Sequence, residues 1–253
     1  MAVGMAMAEA HLAAEFNQPG YDVVDHYTFA LGGDGCMMEG ISSEAASLAG
    51  TLKLNKLTLL YDDNGISIEG DTDIAFKEDV GKRFEAYGWK VLKVADGNDW
   101  QQVLSALKQA EKSDSPTLIV CPTRIGYGCP AKEGTASSHG EPLGDENVLA
   151  TKRALSMSEE SFHVDGDVYE HCAEQAQYGR TAHKEWEKLF EAYAAAYPEL
   201  KKEWDIWFAR ELPDEVTLND NLWKFEGKMA TRNTSGEMIQ RLSALLPNLV
   251  GGS

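Results

Sequence analysis

Short apolar runs alternate with segments of helical period along the first half of the chain. Residues 27–31 (YTFAL), 57–61 (LTLLY) and 117–121 (TLIVC) are β-branched, aromatic or aliphatic almost throughout, and predict buried strands. The first of these is drawn back to residue 23, giving 23–31, and residues 89–94 (WKVLKV) alternate as a further strand. Between the first two strands Ile41, Ala45, Leu48 and Leu52 recur at steps of three and four. That predicts a helix over 38–54 with the kind of stripe a helix turns toward a core. Helices are also expected over 2–16, 78–87 and 100–112, the last capped by Asp99. A strand-helix-strand unit of this length is a right-handed parallel crossover. The fold class is therefore α/β, a doubly wound parallel sheet with flanking helices.

The second half reads differently. Residues 129–145 have little periodicity, and a long loop of that kind is usually functional or mobile. From Glu146 the pattern is mainly helical, with an amphipathic helix pair broken near Pro198. The expected division is one domain over 1–200, a helical linker over 201–230, and the start of another domain over 231–253. That last segment holds one helix and the first residues of a strand at LVGGS.

Two tetrapeptides change this picture from fold to chemistry. GGDG places Gly33, Asp34 and Gly35 at the end of one apolar run, and DDNG places Asn64 at the end of the next. Either one alone reads as an ordinary turn, because Gly, Asp and Asn dominate turns for backbone reasons. Together they bring a carboxylate and a carboxamide to the carboxyl ends of neighbouring strands, where ligands of such sheets bind. Hard oxygens suit Mg²⁺, and a helix N-terminus beside them suits phosphate. The pair reads as a Mg²⁺-diphosphate site. The chain lacks the GxGxxG of a dinucleotide site and the GxxxxGK[ST] of a P-loop there.

Composition narrows the partners. The chain is 43% hydrophobic and 25% charged, an ordinary globular balance, and its net charge of −18 argues against nucleic acid or an anionic membrane. No apolar run is long enough to span a membrane, and the N-terminal MAVGMAMAEAHLAAEF lacks the basic start of a signal peptide. Cys36, Cys121, Cys129 and Cys172 form no CxxC pair, so free thiols in a reducing cytoplasm are expected. An acidic protein that binds anions must gather local basic groups, and Arg124 and Arg232 are the candidates.

GDG followed thirty residues later by Asn, with CMMEGISSEAASLAGTLKL and YDDNGISIEG filling the interval, resembles the transketolase family of thiamine-diphosphate enzymes. The resemblance continues through RFEAYGW (83–89), TRIGYGCP (123–130), SSHGEPLG (137–144) and TRNTSGEMI (231–239), and so covers nearly the whole chain. It implies transfer of a two-carbon ketol unit from a ketose phosphate to an aldose phosphate in the pentose phosphate pathway, by a homodimer using thiamine diphosphate and Mg²⁺. Phosphoketolase and 1-deoxyxylulose-5-phosphate synthase match the text after GDG less well. The resemblance further implies a piece of such an enzyme, truncated at both ends: most of the diphosphate-binding domain and the start of the pyrimidine-binding domain. On that reading the chain does not catalyse ketol transfer alone, and a non-catalytic cofactor-binding module is the alternative.

Residue by residue, the resemblance makes Asp34 and Asn64 side-chain ligands of Mg²⁺ and adds the backbone carbonyl of Ile66. Gly33 and Gly35 would let the backbone approach the diphosphate. Ile68 and Ile125 match positions that pack the thiazolium ring, or are plain core. His139 matches a histidine on the diphosphate and substrate side of the cofactor, where a near-neutral pKa suits proton traffic; otherwise it is a surface loop histidine. A second histidine carried by several relatives is replaced here by Ala136. Arg232 matches an arginine that binds substrate phosphate, or is an exposed helix flank. Glu39 either stabilises a helix start or supports the partner subunit's cofactor-activating glutamate across a dimer interface.

Overall fold

The apolar runs become strands β1 (Thr28–Gly33), β2 (Leu57–Asp63), β5 (Lys90–Lys93) and β6 (Thr117–Pro122), with a small antiparallel hairpin of β3 (Ile66–Ser67) and β4 (Gly70–Asp71) after β2. This computed structural model describes residues 1–209 and 211–251. The four main strands form a parallel sheet in the order β1-β2-β6-β5. The helices are α1 (Ala2–Phe16), α2 (Asp34–Met38), α3 (Gly40–Thr51), α4 (Val80–Ala86), α5 (Trp100–Ala110), α6 (Asp145–Ala154), α7 (Gly166–Ala196), α8 (Pro198–Trp207), α9 (Asp214–Thr217) and α10 (Thr231–Ser243).

β6 is a continuous apolar run because both of its faces are covered. Leu118 and Val120 pack with Leu57, Tyr61, Phe84 and Trp89, while Ile119 and Cys121 pack with Ala106 and Ala110 of α5. Fully burying side chains such as Leu57, Leu118, Ile119 and Phe84 stabilises the fold by roughly 1.5–3 kcal/mol each. The Asp99 side chain caps α5 by accepting from Gln101 N–H, as its position before WQQVL implies.

The chain divides into two units: Met1–Asn17 with Val24–Gly179, and Gln18–Val23 with the chain from Arg180 onward. The sheet belongs to the first. In the second, Phe190 stacks on Trp186 at 5.0 Å and meets Trp204 at 4.9 Å, and Tyr21 meets Tyr197 edge-on at 5.7 Å. Among the described residues no helix is long and apolar enough to cross a membrane.

Four expectations need correction. The strand expected from residue 23 begins only at Thr28. Val24 is instead clasped by Asn17, whose side chain donates to its carbonyl (2.8 Å) and accepts from its N–H (2.9 Å), doing locally what a strand partner would do. The helix expected over 38–54 is α3 alone, shorter at both ends: Met38 closes the preceding α2, and Glu39 between the two helices has extended backbone. The core face of α3 is also not the apolar stripe. Ile41, Leu48 and Leu52 are 69%, 44% and 47% exposed, and Ala46 and Ala49 are buried in their place. Small side chains are needed there because α3 lies close on its neighbours: the Trp89 indole N–H donates to Ala46 O at 2.8 Å. Finally, Leu249–Gly251 form no strand, and the last two residues of LVGGS lie outside the described residues.

Candidate functional site

Sheet register lays the site out. Gly33 pairs with Asp62, and Asp63 pairs with Pro122, so three strands end side by side and release Asp34, Asn64 and Thr123 at one edge. Asp34 is 3% exposed. One carboxylate oxygen accepts from the Tyr61 hydroxyl at 2.5 Å, and the other accepts from Gly65 N–H at 2.9 Å. The second contact sets the carboxylate against the loop that carries Asn64.

Both donors to Asp34 are neutral. A buried carboxylate held only by neutral donors is costly unless a cation joins it. A second carboxylate, Asp63, stands close by. Burial raises the Asp63 carboxyl above the usual carboxylate range, and the charge of Asp34 adds to the rise. Burial likewise pushes the Tyr61 hydroxyl well up, with its hydrogen bond to Asp34 adding to the effect. A buried carboxylate on neutral donors, with a second carboxylate close by, is chemically suited to a divalent cation.

The Asn64 side chain donates to Asp62 at 3.2 Å, and its oxygen accepts from Ile66 N–H at 3.0 Å. Ile66 opens β3, pairing with Asp71. Gly33 and Gly35 have ordinary negative-side backbone angles, being absent from the left-handed glycines. Nothing lies within 4 Å of a Cβ built on Gly35, and only Asp62 O, at 3.8 Å, lies near one built on Gly33. Neither glycine is demanded by the chain's own packing, and both leave open ground where a bound group can approach the backbone. Among the described residues no three His, Cys, Asp or Glu side chains converge as a metal cluster. One carboxylate with amide, carbonyl and phosphate oxygens is, however, the mixed set that Mg²⁺ takes. The residues present fit the group.

A cleft of about 450 Å³ opens beside Asn64, lined also by Leu31, Asp62, Thr123, Arg124 and Ile125. Ile125 is therefore a wall of the same cleft. The Arg124 guanidinium is tied to Glu133 at 3.1 Å, and Glu133, which also accepts from Gly128 N–H, sits below the usual carboxylate range. Ile68 is 70% exposed, which excludes the core reading of that residue. His139 is exposed, at the end of the single turn Ala136–Ser138. Glu39 is exposed at the α2–α3 break, and its side chain does not cap α3. Arg232 lies in the second unit, exposed in the first turn of α10. A cation at a helix start opposes the helix dipole, so helix stability does not account for it.

Sequence reasoning overlooked the residues that hold this edge together. Tyr61 reads as strand, yet it grips Asp34. Arg83 reads as helix surface, yet it donates to Ser43 Oγ (2.7 Å) and Met37 O (2.9 Å) and pairs with Glu78 (2.9 Å), fixing the turn after Asp34. The available signal for Tyr61 was its place two residues before an Asp-Asn pair. At that spacing in a strand it shares a face with Asp63.

Residues 1–213 match the family described as transketolase, thiamine diphosphate binding domain. The whole chain aligns with a transketolase of Streptococcus pyogenes serotype M6 at 49% identity, covering 34% of that protein. It aligns over its whole length with transketolase 1 of Escherichia coli K12 at 44%, covering 39%. In structure, 97% of the chain matches 37% of a Pichia stipitis transketolase solved in complex with sedoheptulose 7-phosphate, with TM-score 0.90 and 37% identity. The chain thus spans between a third and two fifths of the length of these relatives.

Proposed function

We propose, for a chain that belongs to the transketolase family in its thiamine diphosphate binding domain, that its first unit holds the diphosphate end of thiamine diphosphate through Mg²⁺. The activity served is ketol transfer between sugar phosphates in the pentose phosphate pathway. The observation that carries this reading is the Asp34 carboxylate, buried at the sheet edge on two neutral donors and set against the Asn64 loop.

In this reading Asp34, the Asn64 oxygen and the Ile66 carbonyl hold Mg²⁺. Gly33 and Gly35 give the diphosphate room, and Ile68 and Ile125 flank the ring. When bound, the cofactor supplies the electron sink that carbanion chemistry on a sugar requires. His139 serves the substrate side from its loop, moving a proton at a sugar oxygen. Arg232 takes substrate phosphate by the charge-assisted, bidentate contacts that guanidinium makes.

A homodimer is supported by the apolar face of α3. Ile41, Leu48 and Leu52 stand exposed directly after Glu39, where a second subunit would cover them and meet the Glu39 carboxylate. The setting we propose is the cytoplasm, in keeping with four cysteines that are all free thiols.

The test is calorimetric titration of thiamine diphosphate into the full chain, with Mg²⁺ or with EDTA. Binding is expected in Mg²⁺ and is expected to vanish in EDTA. Binding of equal strength in EDTA, or none in Mg²⁺, would overturn the site. A second test addresses substrate in the catalytically competent enzyme. Arg232→Ala should raise KM for phosphorylated sugars roughly 10–150-fold, the loss of one charge-assisted contact worth about 1.5–3 kcal/mol. Cofactor affinity and KM for a non-phosphorylated acceptor should hold. Equal loss for both acceptors would make Arg232 structural.

A further inference from the structure

The end of β2 carries two neighbouring carboxylates that do different work. Successive residues of a strand face opposite sides, so Asp63 turns toward Tyr61 while Asp62 turns toward the cleft. Asp62 has no role in the reading above, yet it is half-buried and held at both oxygens. The Thr123 hydroxyl donates to one, and the Asn64 side-chain amide donates to the other at 3.2 Å. Thr123 is fixed in turn by its own N–H, which donates to Asp63 O at 3.2 Å.

An ionised carboxylate only accepts hydrogen bonds. It can face the nitrogen of a carboxamide but not the oxygen, so Asp62 excludes the flipped amide of Asn64. With its nitrogen committed to Asp62, Asn64 turns its oxygen the other way. There the oxygen accepts from Ile66 N–H at 3.0 Å and keeps a second lone pair. Thr123 comes from the end of the adjacent strand, so the orientation of Asn64 is set by two elements of the sheet and not by its loop alone.

We propose that Asp62, anchored by Thr123, is a positioning residue that fixes the Asn64 oxygen for a divalent cation; this rests on the reading of Asn64 as a Mg²⁺ ligand. Partners that orient a ligand are worth roughly 10–100-fold in metal affinity.

Two readouts on the full chain test it. The first is the side-chain amide signal of Asn64 in protein labelled with ¹⁵N-asparagine, recorded without metal. The second is Mg²⁺ affinity at saturating thiamine diphosphate. Thr123→Val should release the Asn64 amide into conformational averaging and weaken Mg²⁺ binding roughly 10–100-fold. Thr123→Ser keeps the hydroxyl and should restore both. Thr123→Val leaves every charge of the site in place, so its effect cannot be Coulombic, whereas Asp62→Asn removes both the anchor and a charge and should lose at least as much. An Asn64 amide that stays ordered in Thr123→Val and Asp62→Asn overturns the proposal. So does unchanged Mg²⁺ affinity once the amide is released. No Mg²⁺-dependent binding in the unaltered chain would instead overturn the cofactor-site reading, and amide order alone would then decide whether Asp62 and Thr123 hold Asn64.

Discussion

Asp34→Ala should abolish Mg²⁺-dependent retention of thiamine diphosphate while the fold stands. The substitution removes the one carboxylate that the proposed site gives to the cation. The affinity loss should therefore exceed the roughly 10–100-fold that follows loss of a merely orienting partner. The fold should tolerate the change because opposing effects meet there. The Tyr61 hydroxyl and Gly65 N–H lose their acceptor, at about 1–3 kcal/mol for each group left unsatisfied. Against that, a buried negative charge beside Asp63 disappears, and Tyr61 retains Asp63 as an acceptor 3.3 Å away. Asp34→Asn keeps the shape without the charge and should fail in the same way. Titration of cofactor with Mg²⁺, run beside thermal melts, checks both halves. Unchanged affinity in Asp34→Ala would remove Asp34 from the site.

Gly50→Ala should be the more damaging change to the fold, although it lies far along α3 from the chemistry and improves helix propensity. A Cβ at Gly50 would stand 1.8 Å from the Tyr87 carbonyl oxygen and 2.9 Å from its carbon. Both are backbone atoms, held by the turn in which Gly88 N–H donates to Glu85 O and Trp89 N–H to Phe84 O. Alanine gains about 1 kcal/mol in helix propensity. Overpacking costs about 1–3 kcal/mol or more, and an overlap with fixed backbone belongs at the upper end. The net should be a loss of about 2 kcal/mol or more, read as a lower urea midpoint at unchanged slope. A variant as stable as the parent would mean that α3 does not rest on Tyr87.

These two residues mark what the sequence makes legible. Asp34 is visible because a strand pattern, two glycines and a matching Asn after the next strand leave few other readings. The strands themselves are visible because burial on both faces forces unbroken apolar text, as in LTLLY and TLIVC. The seat of α3 is not visible. Its core face is Ala46, Ala49 and Gly50, chosen for closeness and not for hydrophobicity, so the eye goes to Ile41, Leu48 and Leu52, which face outward. Tyr61 and Asp62 escape for a related reason. Their partners, Asp34 and Thr123, come from other strands, and only register brings them together.

The strand order has a consequence for how the chain reaches its native state during synthesis. Among the described residues β6 is the last strand of the sheet to be made, and it is the one that joins β2 to β5. Until it is complete, β5 lacks the strand it pairs with, and the backbone N–H and C=O groups of β2 that will bond to β6 stay unpaired. At roughly 5–20 residues per second, the stretch of about thirty residues from the end of β5 to the end of β6 takes on the order of a few seconds to emerge. For that interval β2 is paired with β1 on one side only. Joining β5 to the rest of this sheet is thus deferred until β6 is made, although β5 itself is made first.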